Sequence, residues 1–173
     1  MKTATVTVVP YDPTWKEAFE AIKQELEAAI GPVILGIEHV GSTAVEGMSA
    51  KPCIDIDVII PNHAALEEAI RGLSRIGYVH EGDLGIRDRE AFTYADKPHL
   101  QKHHLYVCLQ HSAELHRHIT FRNFLRSHPE AVLEYSRIKT EAAKQFPHDI
   151  DRYIAFKSPY IEKLYRQCGL LKD

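Results

Sequence analysis

Runs of alternating apolar and polar residues, interrupted by two stretches of helical period, fill the first two thirds of the chain, and the last third is helical in period. Residues 4–9, ATVTVV, alternate and are β-branched, which predicts a short strand. Asp12 and Pro13 follow as an N-cap and a first helical residue. Trp15, Phe19, Ile22, Leu26 and Ala29 then recur at steps of four and three, one apolar face of a helix that Gly31-Pro32 ends. VILGIEHV (33–40) reads as a strand, and GSTAVEGMSAKP (41–52) as a loop with room for one helical turn. CIDIDVII (53–60) reads as a strand, and Asn62 caps a helix bearing Leu66, Ala69, Ile70 and Leu73. GYVHEGDLGIRDREAFTY (77–94) reads as two short strands around a polar turn, and HHLYVCL (103–109) as another strand. From Ser112 onward the period is helical, with breaks predicted at His128-Pro129, Phe146-Pro147 and Ser158-Pro159. The fold class is therefore α+β: a mixed sheet flanked by helices, with a helical C-terminal third and a single domain over residues 1–173.

One strand breaks the apolar rule. Asp55 and Asp57 alternate with Ile54, Ile56 and Val58. Side chains two apart share a face, so the carboxylates project together, roughly 6 to 7 Å apart at the backbone. Such a pair repels itself unless something offsets the charge. A shared Mg²⁺ would do so, because it takes a few carboxylate oxygens and fills its shell with phosphates and water. The Gly41-Ser42 pair lies shortly upstream. A glycine there lets the backbone approach a ligand, and the N–H groups from Gly41 to Thr43 with the Ser42 hydroxyl can cradle phosphate oxygens. The bland alternative is a solvent-facing acid pair neutralised by lysines. Ser42 as a nucleophile lacks the G-x-S-x-G elbow.

Composition narrows the setting. The chain has 173 residues and a formal net charge of -3, which suits one domain and argues against a bulk grip on nucleic acid. The three cysteines, Cys53, Cys108 and Cys168, have no CxxC spacing and read as free thiols in a reducing compartment. There is no signal peptide pattern or apolar run to span a membrane, so a cytoplasmic protein is expected. Six histidines crowd residues 99–118, but no zinc spacing accompanies them.

Gly-Ser, about a dozen residues, then Asp-x-Asp on a strand resembles the signature of the nucleotidyltransferase superfamily. The stretches VVPYDPTWKEAFEAIKQEL, IEHVGSTAVEGMSAKPCIDIDVII, GIRDREAF, HHLYV and ITFRNFLRSHPE together resemble the GrpB family, also called UPF0157, over nearly the whole chain. The string HVGSTAV-x-G-x-x-AKP-x-IDI is the most specific segment. The resemblance implies a nucleotidyltransferase-like sheet, with Gly41 and Ser42 on a nucleoside triphosphate and Asp55 and Asp57 on Mg²⁺. Related domains occur fused to dephospho-CoA kinase. Arg89, Arg122, Lys139, Tyr153 and Lys157 match family positions, and Lys51 is placed to reach a phosphate. The chain departs from the pattern in two places. The strand HHLYVCL offers His104 and Tyr106 where a third carboxylate usually stands, with Tyr106 in place of a family histidine, and GIRDREAF lacks the family's Pro-Gly turn.

The resulting expectation is an Mg²⁺-dependent nucleotidyltransferase acting on an unknown small acceptor. Asp55, Asp57 and His104 are its catalytic set, His104 being a metal ligand or a near-neutral base. Gly41, Ser42, Thr43, Lys51, Arg89 and Arg122 are its nucleotide contacts. The rivals are a non-catalytic module for a nucleotide or CoA-like ligand and a metal-dependent phosphoester hydrolase. Whether the C-terminal helices form a dimer face or cover the sheet stays open.

Overall fold

The computed structural model describes residues 5–172. The chain divides into two compact units. A sheet unit holds Thr14–Val40 and Cys53–Ile119, and a helical unit holds the residues up to Pro13, Gly41–Pro52 and those from Thr120 on.

The sheet unit opens with helix α1 (Thr14–Ile30), whose buried stripe is Trp15, Phe19, Ile22, Leu26 and Ile30. Ile30 rather than half-buried Ala29 completes the stripe. Strand β1 (Gly36–Val40) is shorter than the alternation suggested. Pro32 sits in a 3₁₀ turn over Gly31–Val33, and the Ile34 N–H closes back on the Gly31 carbonyl at 3.4 Å. β2 (Ile54–Ile60) carries the aspartates, and α2 (His63–Arg75) starts at Asn62, whose side chain accepts the Ala65 N–H at 3.0 Å. β3 (Tyr78–Gly82), β4 (Arg89–Tyr94) and β5 (His103–Leu109) complete a five-stranded sheet of order β1-β2-β5-β4-β3.

Only the β2–β5 pair is parallel. It pairs Asp55 with His104 and Asp57 with Tyr106. The period of two then sorts the sheet. Ile54, Ile56, Val58 and Ile60 are buried on the face that meets α1 and α2, each contributing about 1.5–3 kcal/mol of apolar burial. Gly72 permits the α1–α2 approach, since a Cβ there would stand 2.6 Å from Ile30 Cγ2. Asp55, Asp57, His104, Tyr106 and Cys108 lie on the opposite face.

In the helical unit the expected N-terminal strand does not form. Ala4 lies outside the described residues, and the next residues are irregular up to a single bridge between Val9 and Ala50. Val6 donates instead to the Pro147 carbonyl at 2.8 Å, so no partner strand propagates the ladder. α3 (Ala113–Arg126) is capped by Ser112 Oγ, which accepts the Leu115 N–H at 3.3 Å, and the unit boundary falls within it. α4 (Pro129–Gln145) begins on its proline. α5 (Ile150–Gln167) is capped by Asp149 and continues past Pro159, contrary to the predicted break. The proline removes only the bond to the exposed turn of Ala155, which water can satisfy. Val45, Met48, Leu125, Ala131, Val132, Tyr135 and Leu164 form this unit's core. Among the described residues no helix is long and apolar enough to cross a membrane.

Candidate functional site

The acid-bearing face of the sheet unit is built by strand register. Asp57 is fully buried in the middle of β2, and Asp55 is half-buried nearer its start. Asp57 Oδ2 takes a hydrogen bond from His118 Nδ1 on α3 at 2.6 Å. Its other oxygen, Oδ1, is buried and has no hydrogen-bond partner. A buried carboxylate oxygen facing neither donor nor cation is costly. This orphan oxygen, with Asp55 on the same face, is the donor set a hard divalent cation takes, so the residues fit Mg²⁺. Among the described residues no three His, Cys, Asp or Glu side chains are arranged to enclose an ion. The remaining positions of such an ion would fall to ligand oxygens and water.

His118 is held from both sides. Its Nε2 lies 3.1 Å from Glu114 Oε1, one helical turn earlier, and Glu114 is gripped in turn by the Arg117 guanidinium. Burial pushes the Asp57 carboxyl above its ordinary range, against the pull of His118. Burial would lower His118, but the bond to Asp57 and the charges of Asp57 and Glu114 raise it. The pair shares one proton, and we place it on His118 because both ring nitrogens contact carboxylate oxygens. Burial also works against Glu114, yet Arg117 and His118 hold it below the usual carboxylate range.

His104 comes from the adjacent strand and donates through Nδ1 to Asp55 Oδ1 at 3.0 Å. That bond, with one to Cys53, pushes its pKa up to about 10. The bond to Asp55 favours the protonated ring, above the near-neutral range expected of a base at His104. His103, one residue earlier, points to the other face, where Tyr78 Oη meets its Nε2 at 2.7 Å and its Nδ1 donates to the Gln101 carbonyl.

Arg89 joins the same face. β4 pairs Arg89 with Cys108, and the guanidinium stacks 4.4 Å from the centre of the Tyr106 ring. Its Nη2 reaches the Asp83 carbonyl, whereas its buried Nε has no partner. Glu38 stands directly opposite Asp57 on β1. The third acid sought on β5 is thus absent there, while an acid occupies the other neighbouring strand.

In the helical unit, Gly41 has φ 75° and ψ −174°, a conformation that glycine tolerates and other residues rarely adopt. Ser42–Ala44 form a 3₁₀ turn whose Ala44 and Val45 N–H groups close onto Gly41 and Ser42, with Thr43 buried. Lys139 of α4 donates from Nζ to Ser42 Oγ at 2.9 Å. Lys139 is only 3% exposed, and among the described residues no ion pair joins it to a carboxylate. It rests 4.6 Å from the Tyr135 ring, while Lys157 of α5 lies 4.8 Å from the Tyr153 ring. Burial and the neighbouring Lys157 charge lower Lys139 to about 7, and burial lowers Lys157. A buried amine bonded to a hydroxyl, with a second amine near it, is a group that could accept an anion. Arg122 is buried and donates to Asn123 Oδ1 at 3.1 Å, and Lys51 is exposed on its loop.

Sequence reasoning missed Glu38, Glu114 and His118, and it did not link Lys139 to Ser42. Glu114 and His118 carried one legible signal, their i,i+4 spacing on a single helix face.

A family model described as "GrpB protein" matches residues 5–167. The chain belongs to the GrpB family. It is 32% identical over 157 residues to the UPF0157 protein YqkA of Bacillus subtilis (strain 168), covering 91% of this chain and 45% of that one. It is also 32% identical over 161 residues to the UPF0157 protein PA4798 of Pseudomonas aeruginosa, covering 92% and 66%. The chain therefore spans less than two thirds of either relative. Among solved structures, conserved protein GrpB from Enterococcus faecalis superposes with a TM-score of 0.81 at 32% identity, over 94% of this chain and 96% of that one. The GLD-2/RNP-8 complex matches with a TM-score of 0.63 at 15% identity, over 93% and 62%. Cid1 in complex with the UTP analog UMPNPP matches with a TM-score of 0.58 at 12% identity, over 95% and 52%. These last two likenesses establish the nucleotidyltransferase-like fold of this GrpB chain.

Proposed function

We propose that this GrpB protein binds a nucleoside triphosphate with Mg²⁺ and transfers a nucleotidyl group to a small acceptor. The observation that carries this reading is Asp57 Oδ1, a buried carboxylate oxygen without a donor on the face shared with Asp55. Asp55 and Asp57 would hold the metal. When bound, such an ion would supply positive charge against the charge that develops on phosphate oxygens in a displacement. Ser42, Lys139 and Lys157 would bind phosphate oxygens, Lys139 exchanging its hydroxyl partner for an anion. Arg89, fixed over Tyr106, would present its guanidinium to the nucleotide. His104, hydrogen-bonded to Asp55, would orient that carboxylate beside the metal. The UTP analog bound by Cid1 makes a nucleotide the natural first ligand to try.

A second reading is a non-catalytic nucleotide module, and the strand β5 favours it, since His104 and Tyr106 put no acid beside the aspartates on that strand. Thermal shift with nucleoside triphosphates, with and without Mg²⁺, tests both. A ligand bound only by the folded state raises the midpoint. An Mg²⁺-dependent shift, lost in Asp57→Asn, supports the metal site. Product analysis then separates the activities: a nucleotide joined to an acceptor means transferase, free phosphate means hydrolase, and binding without product means module. Undiminished nucleotide-dependent activity in an Asp55→Asn/Asp57→Asn protein sinks the assignment.

A further inference from the structure

The metal reading leaves one arrangement unused. His118 makes no bond outward toward a ligand; both ring nitrogens are committed to carboxylates, Nδ1 to Asp57 Oδ2 at 2.6 Å and Nε2 to Glu114 Oε1 at 3.1 Å. Glu114 is fixed by Arg117 on the same helix. The chain Arg117–Glu114–His118–Asp57 ends on one oxygen of one aspartate and leaves the other oxygen buried and without a partner.

We propose that His118 is a positioning residue for Asp57: by holding Oδ2 it presents Oδ1 alone to a divalent cation and so selects small octahedral ions over larger ones. This rests on the metal reading of Asp55 and Asp57. The physical reason is coordination number. Mg²⁺ and the similar Mn²⁺ accept single oxygens at six tight positions, whereas Ca²⁺ takes six to eight ligands and readily accepts both oxygens of one carboxylate. With Oδ2 occupied, Asp57 cannot offer the two-oxygen grip that Ca²⁺ exploits. With the ring removed, the carboxylate can turn and offer both. The same bond fixes the rotation of the Asp57 side chain, so ordering it does not fall to the metal. Carboxylate–imidazole contacts behind a ligand typically alter metal affinity by about 10- to 100-fold when removed. Glu114 acts in the same way from behind the ring, keeping it turned so that Nδ1 faces Asp57.

The test is Mn²⁺ binding to the full chain without nucleotide, read from loss of the free Mn²⁺ electron paramagnetic resonance signal, with Mg²⁺ and Ca²⁺ as competitors. The wild type binds Mn²⁺, and Mg²⁺ displaces it at lower concentration than Ca²⁺ does. In His118→Ala, Mn²⁺ affinity falls by roughly 10-fold or more and the preference for Mg²⁺ over Ca²⁺ narrows or reverses. In His118→Asn, whose amide N–H can replace the Nδ1 donor, both quantities stay near wild type. Glu114→Gln falls between the two, and with His118→Asn it carries the test if His118→Ala does not fold. Wild-type Mn²⁺ affinity with an unchanged Mg²⁺-to-Ca²⁺ ratio in His118→Ala overturns the inference, as does equal loss in His118→Ala and His118→Asn. If binding is lost in Asp57→Asn but untouched in His118→Ala, only the positioning role fails. If the wild type binds no Mn²⁺ at all, the metal reading fails and takes this inference with it.

Discussion

Lys139 Nζ donates to Ser42 Oγ at 2.9 Å, joining a helix to the Gly-Ser turn across 97 residues of sequence. The hydroxyl is a weak partner for a buried ammonium, and burial with the nearby Lys157 charge brings Lys139 down to about 7. A phosphate anion at the same spot favours the charged form and raises that value again. Polyphosphate binding should therefore draw in a proton wherever unliganded Lys139 is neutral. At about pH 8, titration calorimetry with inorganic triphosphate in buffers of different ionisation heat should report uptake of up to about one proton. Lys139→Met should abolish the uptake and weaken binding. Equal uptake in the variant would assign the proton to another group.

The same lysine has a signature without ligand. Its folded value lies below the unfolded one, so the unfolded chain binds more protons between about pH 7 and 10.5. The stability associated with a depressed value is present above the unfolded pKa and is lost as pH falls through the folded one. At about pH 7 and below, the wild type carries the full cost of charging a buried amine. Lys139→Met should raise the melting midpoint there, and its advantage should shrink steadily toward pH 10. A constant difference at every pH would mean that packing, not charge, sets the effect.

The alternation Asp-Ile-Asp-Val was enough to place Asp55 and Asp57 on one face, because a strand has a period of two whatever surrounds it. The same period put His104 and Tyr106 together, and the parallel register then set them beside the aspartates. The partner of Asp57 was not legible. His118 is 61 residues away and one of 11 histidines, and its one local mark, the i,i+4 spacing from Glu114, does not point to Asp57. The N-terminal strand failed for a related reason: ATVTVV has the propensity, but a strand needs a neighbour, and among its described residues only Val9 finds a bridge partner. Pairing is a property of the fold, whereas facing is a property of the segment.

Tyr78 Oη meets His103 Nε2 at 2.7 Å inside the sheet unit, and His103 Nδ1 donates to the Gln101 carbonyl at 2.7 Å. The tautomer is thereby fixed: Nδ1 carries the proton and Nε2 accepts from the phenol. Burial lowers His103 below its ordinary value even though the Gln101 carbonyl favours the cation. The stability that a depressed histidine contributes is present above its unfolded value near 6.5 and is lost as pH falls through the folded one. Tyr78→Phe strands Nε2 as a buried acceptor and should cost about 1–3 kcal/mol at neutral pH. Denaturant melts at neutral and mildly acidic pH measure both effects. A Tyr78→Phe protein as stable as wild type would show that water reaches Nε2.

Pro159 sits inside α5, where the sequence predicted a break. A proline in a helix interior removes one backbone bond and crowds the carbonyl four residues earlier, at a cost of about 3 kcal/mol in the worst case. Here that carbonyl belongs to Ala155, and Ala155 and Pro159 are both exposed, so water relieves some of the loss. The proline is exposed, so an alanine there forfeits little apolar burial. Ser158, one residue earlier, bonds its hydroxyl to the Ile154 carbonyl at 2.6 Å and so stitches the turn before the break. Pro159→Ala should restore the missing donor and raise stability by about 1–2 kcal/mol, a few degrees in melting midpoint for a chain of this size. Circular dichroism melts check it, with Ser158→Ala as the companion. If Pro159→Ala lowers the midpoint, the ring is holding α5 in a bend that its packing on α4 requires.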